Sequence, residues 1–391
     1  MFGALVTANF TRILFQFLWL GCTSFGGPTA HIGIFRRQFV EKEKRLSDDE
    51  YATLVALCQM IPGPASSQVG MGLGYRIGGV AGSLAAWIGF TLPSAILMYL
   101  GALWILEDGS LAGGWFVTAM KLVAVGIVTQ AVLGMWSQLC VTRETKLVAL
   151  IAAVIFSSAP VALTQVGLIA AALIAGYVSQ PIETPKVSAE PRYWKVAMWG
   201  LLIWAVGVGA SGWVGSDNTW LSMIAGHYSS GALVFGGGHV VLPLLEAEFV
   251  PPLQVDTFLA GYGFAQAMPG PLFTLASYLG PVLIPESTLL AAMVATAAIF
   301  LPGAMVLLIA LSIGQQLMHW KSRLVFVNAV VVGLLFAILV NPIFTEAVDS
   351  EVTTALAVLS LIVAVALKRS PLELVAIMIG ATFLVDQLGW I

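Results

Sequence analysis

The stretch CQMIPGP, residues 58–64, interrupts an apolar run with two prolines and a glycine, and AQAMPGP repeats the pattern at 265–271. Proline removes a backbone donor and clashes with the preceding turn of a helix, whereas glycine tolerates positive φ. Each stretch therefore predicts the end of one helix and the start of another. An unbroken apolar helix would satisfy its own backbone hydrogen bonds, so a break at this place calls for an explanation.

The chain around these breaks is strongly apolar. Of its 391 residues, 59% are hydrophobic and 9% are charged. The runs 81–106 and 289–314 each exceed the roughly 20 apolar residues that a helix needs to cross about 30 Å of hydrocarbon. Composition therefore predicts an all-α polytopic membrane protein, with the lipid bilayer as its first partner.

The two halves of the chain share a sequence pattern. FGGPTAHIGIFRRQFV (25–40) aligns without gaps on FGGGHVVLPLLEAEFV (235–250), and a PGP motif follows each of them. TLPSA (91–95) then has a counterpart in FLPGA (300–304). Because order and spacing are kept, we predict two related repeats.

This repetition predicts a domain organisation. The N-terminal repeat covers 1–178 and the C-terminal repeat covers 214–391. A polar, proline-containing linker over 179–195 and a single connecting transmembrane helix over 196–213 join them. One crossing between the repeats turns the second one over, which predicts two inverted-topology repeats.

Charge supports this inversion. The loop after the second FGG carries Glu246, Glu248 and Asp256 and no base, and the loop after the first FGG carries five bases, namely Arg36, Arg37, Lys42, Lys44 and Arg45. Basic loops stay in the cytoplasm, so the two loops are expected on opposite sides. We predict a cytoplasmic N-terminus and a C-terminus on the opposite side of the membrane, which is the periplasm if the inner-membrane location implied by the family resemblance below holds.

The number of crossings depends on how the breaks are arranged. If each FGG and PGP is the tip of a re-entrant hairpin, each half has four full spans, predicted at about 81–106, 112–141, 147–159 and 161–178, and at 288–313, 323–341, 352–367 and 371–390. If every segment crosses instead, the chain has about 13 spans and the same terminal orientation.

Helix breaks at membrane depth are tolerated only where they are buried in protein or line a wet cavity. New helices are expected to start at Pro28, Pro64, Gly238 and Pro271. Each start exposes free N–H groups and a partial positive charge, which together bind anions. Four breaks meeting near the midplane predict an anion cavity of the kind that secondary transporters use, with simple kinks as the alternative.

The candidate substrate-binding residues lie mostly at these breaks. Gln59 and Gln266 either bind the anion or satisfy the broken backbone, and the Ser and Thr hydroxyls either donate to the anion or bond their own backbone. Lys121 either binds substrate or snorkels, and His239 either binds or caps a helix. The full set is Gly26, Gly27, Pro28, Thr29, Gln59, Gly63, Pro64, Ser66, Ser67, Lys121, Gly236, Gly237, Gly238, His239, Gln266, Gly270, Pro271 and Thr274.

Other chemistry is disfavoured. The apolar regions contain no catalytic triad, phosphate loop or metal-ligand cluster, so we predict neither an enzyme nor a cofactor. Titratable groups of the membrane interior are expected to be few, chiefly Lys121 and His239, without a buried carboxylate pair.

The cysteines lack CxxC spacing and are expected to be buried free thiols. His31 is expected to be structural, no nucleic-acid partner is predicted, and a homodimer stays open.

The motif pairs FGGP with QxxPGP, and FGGG with QAMPGP, resemble those of the chromate ion transporter family in its long two-domain form. The resemblance covers nearly the whole chain. It implies an inner-membrane protein that exports chromate and confers chromate resistance, with sulfate as the isostructural competitor. From the residues alone the prediction is an inverted-repeat anion transporter. A transporter of sulfate or another tetrahedral oxyanion is one alternative, and an anion channel is the other.

Overall fold

The computed structural model describes residues 2–107, 114–179, 191–211, 219–235, 240–250, 253–317 and 323–390. Within these ranges every regular element is a helix and no strand occurs. Four helices are long and apolar enough to cross a membrane, namely Ala65–Glu107, Trp115–Leu139, Pro285–Ser312 and Val325–Ala347. The predicted all-α polytopic membrane class is confirmed.

The first half opens with two pairs of helices, each joined by one of the predicted breaks. α1 (Phe2–Thr23) meets α2 (Gly27–Arg36) at the FGGP motif, and α2 continues as a π-helix over Arg37–Lys42. α3 (Asp48–Met60) meets α4 (Ala65–Glu107) at the PGP motif. Both motifs therefore end one helix and begin the next, as proline and glycine predict.

Three helices complete the first half, and a fourth leads to the second half. They are α5 (Trp115–Leu139), α6 (Arg143–Ser158), α7 (Ala162–Ser179) and α8 (Pro191–Ser211). α6 has 16 residues and covers the short span predicted at 147–159. α8 begins at Pro191, inside the segment predicted as linker.

The second half repeats this order of helices. Its first part consists of α9 (Thr219–Leu233), α10 (Val241–Phe249), α11 (Val255–Ala267), a 3-10 turn over Leu272–Thr274 and α12 (Leu275–Leu283). Its second part consists of α13 (Thr288–Leu317), α14 (Val325–Ile338), α15 (Thr345–Ala347), α16 (Glu351–Leu361) and α17 (Pro371–Gln387). Helices therefore follow one another in a similar order in both halves, and the inverted repeat itself stays a prediction.

A capping box fixes the start of α3. The Ser47 N–H donates to Glu50 Oε2 at 2.9 Å, and the Glu50 N–H donates to the Ser47 hydroxyl at 3.3 Å. The Ser47 N–H and the Ser47 hydroxyl, which also donates to Oε2 at 2.9 Å, lower the pKa of the Glu50 carboxyl. The pattern Ser-x-x-Glu predicts this cap, which satisfies two backbone donors at the exposed end of the helix.

A sharp turn divides α4 into two segments. Gly78 and Gly79 have non-helical backbone angles, with φ of 61° at Gly79. The segment after the turn, 80–107, rises about 42 Å, enough to cross a bilayer with its headgroup regions. It coincides with the span predicted at 81–106.

The long segment of α4 and its repeat equivalent α13 run antiparallel. Trp87 packs against Phe300 with ring centroids 5.8 Å apart, and the Tyr99 hydroxyl lies 3.2 Å from the Thr288 hydroxyl. Residue numbers therefore rise along α4 as they fall along the adjoining α13. An inverted repeat requires equivalent membrane helices to run in opposite directions.

The same glycine-mediated helix contact recurs in both halves. A Cβ atom on Gly21 of α1 would strike the carbonyl of Phe90 in α4, and one on Gly231 of α9 would strike the carbonyl of Ile299 in α13. The two glycines hold matching positions in the repeat. Small residues allow membrane helices to approach closely, so each half packs its first helix on its long helix in the same way.

The outward faces of the long helices are apolar. Leu92, Ile96 and Leu100 of α4 and Leu289 and Met293 of α13 are exposed. Exposed apolar surface of this extent fits contact with lipid. All three thiols are free; Cys58 and Cys140 are buried as expected, whereas Cys22 is exposed, so that part of the expectation is wrong.

The inverted arrangement predicts opposite exposure of two side chains near the break-bearing helices. Lys42 and Gln254 are both exposed and lie in the loops of opposite charge. In a background without the three native cysteines, Lys42→Cys should label only from the cytoplasm and Gln254→Cys only from outside. Labelling of both with a membrane-impermeant maleimide from one face would contradict the inversion.

Candidate functional site

Backbone hydrogen bonds tie the breaks of one half to those of the other. The Gly63 N–H donates to the Val234 carbonyl at 2.8 Å, and the Gly270 N–H donates to the Ser24 carbonyl at 2.8 Å. Val234 and Ser24 each directly precede an FGG motif. Each PGP break therefore bonds the chain beside the FGG break of the opposite half, and the two bonds are related by the repeat.

Only glycine fits the centre of each PGP motif. Gly63 has φ of 126° and Gly270 has φ of 101°, a region that L side chains rarely adopt. A Cβ atom on Gly63 would lie 2.8 Å from the Gly303 Cα, and one on Gly270 would lie 2.8 Å from the Ser94 hydroxyl. Ser94 and Gly303 are equivalent positions of TLPSA and FLPGA, so these motifs receive the breaks of the opposite half.

The breaks lie halfway along the two long helices. Ser94 is near the middle of segment 80–107, and Gly303 is near the middle of Thr288–Leu317. Each of these helices rises about 42 to 45 Å. If both cross the bilayer, the two PGP breaks lie close to its midplane; that all four breaks meet there stays a prediction.

A buried glutamine joins the first PGP break to the second half. Gln68 is fully buried, and its Nε2 donates to the Pro62 carbonyl at 2.9 Å and to the Gly303 carbonyl at 3.0 Å. Because both partners are acceptors, the amide oxygen faces away from them, and it is buried without a partner among the described residues. Sequence analysis missed Gln68; the signal was a lone amide side chain in an apolar run after PGP.

A buried histidine joins the two breaks of the first half. His31 of α2 lies with Nε2 3.2 Å from the Ser24 carbonyl and Nδ1 3.4 Å from the Ser66 hydroxyl. Since a carbonyl only accepts, Nε2 carries the proton and Nδ1 accepts from Ser66. The expected structural role of His31 is therefore specific: it fixes α2 against the start of α4.

The start of α4 presents unused donors. Its first helical hydrogen bond runs from the Gln68 N–H to the Pro64 carbonyl at 2.9 Å, so the N–H groups of Ala65, Ser66 and Ser67 have no acceptor within the helix. The hydroxyl of Ser67 is buried and, like that of Ser24, has no partner in the described ranges.

The other first-half candidates divide into two groups. α2 starts at Gly27, with Pro28 in its first turn, Thr29 following and Gly26 at the N-cap with φ of 101°. These residues lie at the break as predicted. Gln59, in contrast, is exposed on α3 and forms no hydrogen bond within the described chain.

The second half offers fewer donors. The Thr274 hydroxyl donates to the Pro271 carbonyl at 2.8 Å, so it bonds its own backbone, and the α-helix begins only at Leu275. Gln266 is half-buried, and its amide nitrogen is buried without a partner within the described ranges. Four predicted residues lie outside the described part of the chain, namely Gly236, Gly237, Gly238 and His239.

Lys121 lies apart from the breaks. Its ammonium nitrogen is 2.9 Å from Asp256 Oδ1, which joins α5 to the first turn of α11. The PGP break follows the opposite end of α11, about 16 Å along the helix axis. In this conformation the structure does not bring Lys121 together with the other candidates, and its binding role stays a prediction.

Two acidic residues lie where sequence analysis did not place them. Glu246 and Glu248, predicted in a loop, are both part of α10. Glu246 is only 9% exposed, and the Glu248 carboxylate accepts from the Ser229 hydroxyl at 3.3 Å. The loop prediction is wrong because acidic side chains indicate a solvated loop, whereas packing of α10 against neighbouring helices buries Glu246.

Together these features define a multi-pass helical membrane protein in which broken helices of two similar halves meet midway along two long antiparallel helices. A model of the chromate transporter family matches residues 11–178 and 221–385. The chain belongs to the chromate transporter family. The resemblance predicted from the paired motifs is confirmed.

Three relatives align with this chain over most of their own length. The chromate transport protein of Cupriavidus metallidurans is 28% identical over 393 residues, which cover 97% of this chain and 93% of the relative. That of Pseudomonas aeruginosa is 24% identical over 362 residues, 90% of this chain and 84% of the relative. An uncharacterized transporter of Methanocaldococcus jannaschii is 23% identical over 352 residues, 84% of this chain and 83% of the relative. No solved structure matches the chain.

The close packing around Gly63 and Gly270 predicts that replacing either glycine lowers the stability of the protein. Gly63→Ala and Gly270→Ala each force an L side chain into positive φ against the opposite half, which should lower the free energy of unfolding by about 1–3 kcal/mol. Thermal unfolding in detergent measures the change. Gly380→Ala is the matched control, because Gly380 lies on α17 with open space around a Cβ atom. Equal stability of all three variants would show that the breaks are not tightly packed.

Proposed function

We propose that this protein exports chromate from the cytoplasm across the bacterial inner membrane and thereby confers chromate resistance. The oxyanion binds at the helix N-termini of the FGGP and PGP breaks. Family membership and the names of two relatives support chromate as the substrate. Sulfate has the same tetrahedral shape and charge and competes for the same donors.

One observation carries the proposal: donors without partners converge at the start of α4. The first-turn N–H groups of Ala65, Ser66 and Ser67 have no helical acceptor, and the buried Ser24 and Ser67 hydroxyls have no partner among the residues that the structure describes. Buried donors without acceptors are unfavourable in an apolar interior. A tetrahedral oxyanion supplies several acceptor oxygens at once and offsets this cost.

The two halves contribute unequally to this site. Ser66, Ser67 and Gln68 follow the first PGP, whereas Phe273, Thr274 and Leu275 hold the equivalent positions after the second. Ser67 supplies the free side-chain donor of this turn, because the Ser66 hydroxyl donates to His31 and the Gln68 amide donates to two carbonyls. The second half supplies the backbone of its breaks and the FLPGA surface on which the first PGP packs.

The membrane potential favours export of a dianion. Moving one elementary charge through 100 mV is worth about 2.3 kcal/mol, so a dianion leaving a negative cytoplasm gains about 4.6 kcal/mol. This is over three decades of concentration ratio. Export therefore needs no further energy source, and the transport cycle is electrogenic.

Flux measurements in proteoliposomes test the proposal. A valinomycin-imposed potential, negative on the cytoplasmic side, should accelerate exit of radiolabelled chromate without a pH gradient, and sulfate should compete. A saturable rate identifies a carrier, whereas a large unitary conductance would identify a channel. A rate that ignores voltage would overturn electrogenic export, and absence of chromate flux would overturn the function itself.

The unpartnered hydroxyls predict a change in affinity. Ser67→Ala and Ser24→Ala each remove a donor to the anion, which should raise the half-saturating chromate concentration about tenfold, or about 1.4 kcal/mol. The same assay with Ser158→Ala provides the control, because the Ser158 hydroxyl is exposed on α6 and bonds the Val154 carbonyl. Unchanged half-saturation in both variants would place the anion elsewhere.

A further inference from the structure

A buried carboxylate without a partner lies close to the second FGG break. Glu246 is 9% exposed, and its Oε2 is buried without a hydrogen-bond partner in the described part of the chain. The equivalent residue of the first half is Arg36, which is exposed and paired with Asp48 at 2.6 Å and with Glu41. At equivalent positions, the first half therefore has the exposed Arg36 and the second half has the buried Glu246.

The helices packed against α10 are α7, α9 and α14. α14 contains no titratable residue, and the titratable residue of α7 is Tyr177, whose ring lies 4.8 Å below the guanidinium of Arg323. Gln165 of α7 faces α10 with its amide, which donates to the Pro243 carbonyl at 2.7 Å. Neither helix offers Glu246 a cation among the residues described.

α9 contributes a histidine and a tyrosine. His227 is fully buried, packs on Phe249 with ring centroids 4.6 Å apart and has its Nδ1 2.7 Å from the Met223 carbonyl. The Tyr228 ring faces α8, where a Cβ atom on Gly207 would meet it. On α10 itself, the Glu248 carboxylate accepts from the Ser229 hydroxyl and offers Glu246 no positive charge.

Such surroundings favour the protonated acid. A carboxylate removed from water without a compensating partner is strongly destabilised, and the group binds a proton instead. The enclosed position of Glu246 is therefore compatible with a neutral side chain and unfavourable for an ionised one.

We propose that Glu246 is a proton-binding site, occupied in this conformation, that makes oxyanion transport dependent on pH. The inference rests on the proposed function for its link to transport, whereas proton binding itself does not. Loss of the proton leaves a buried negative charge that must regain water, which separates α10 from α9.

This separation acts on the oxyanion site through the chain. α10 starts at Val241, soon after the second FGG motif, and α9 ends at Leu233, one residue before Val234, whose carbonyl accepts the Gly63 N–H. Opening the α9–α10 pair therefore strains the bond that holds the first PGP break. An ionised Glu246 also repels a dianion in the cavity. Both effects lower transport as pH rises.

The test compares Glu246→Gln with the wild type. Chromate efflux from proteoliposomes is measured between about pH 5 and pH 8, with the same pH on both sides and a fixed potential. The wild-type rate should fall with rising pH by up to about tenfold per pH unit, the limit for one proton. Glu246→Gln mimics the protonated acid and should keep the low-pH rate throughout.

The matched control is Glu346→Gln, because Glu346 is exposed on α15. Chromate itself takes up a proton in this range, but it does so equally for all variants, so the difference between variants reports the protein. If the Glu246→Gln and wild-type profiles coincide, the inference is overturned. If the wild type moves no chromate at any pH, the proposed function fails instead.

A second measurement tests proton binding without transport. If Glu246 keeps its proton in the folded protein at a pH where the unfolded chain has released it, the folded state binds more protons. The free energy of unfolding then falls as pH rises above the ordinary pKa of Glu. Thermal unfolding in detergent over the same pH range should show this fall in the wild type and in Glu346→Gln. It should be absent, or clearly smaller, in Glu246→Gln. Equal slopes in all three proteins would exclude a proton on Glu246.

Discussion

Backbone groups at a helix break find no water inside a bilayer, and each unsatisfied group there costs several kcal/mol. The arrangement of this protein follows from how that constraint is met. Gly63 donates to Val234 and Gly270 donates to Ser24, so each PGP break uses a carbonyl beside the opposite FGG break. Neither half satisfies its own PGP glycine, and the two halves are therefore structurally dependent on each other even though each repeats the other's order of helices.

The two long helices relate these hydrogen-bonded breaks to a depth in the membrane. The segment 80–107 of α4 and α13 run antiparallel, and the PGP glycines pack near their midpoints, at Ser94 and Gly303. A break held at the midpoint of a crossing helix has no access to either aqueous face except through a cavity. Free donors at such a point are accessible only to a solute that enters this cavity, which links the helix breaks to substrate binding rather than to simple bending.

Features that depend on local backbone chemistry were predictable, and features that depend on packing were not. Proline and glycine restrict φ wherever they occur, so the breaks at FGGP and PGP and the bounds of the long helices follow from sequence. The roles of Gln68 and His31 depend on carbonyls that tertiary contacts bring to them, and no local pattern reports those. Glu246 was misplaced for the same reason, because its charge resembles that of a solvated loop while its burial depends on α7, α9 and α14.

The same backbone repeat carries different side chains in its two copies, and this difference gives the halves different chemistry. The first half has the Ser24 and Ser67 hydroxyls, buried and without a partner among the described residues, which we propose donate to the anion at the start of α4. The second half has apolar residues at the equivalent turn and an enclosed acid, Glu246, where the first half has a surface arginine. An anion and a proton require opposite environments, donors for one and an unpartnered acid for the other. The hydrogen bonds of Gly63 and Gly270 across the two halves join these two environments.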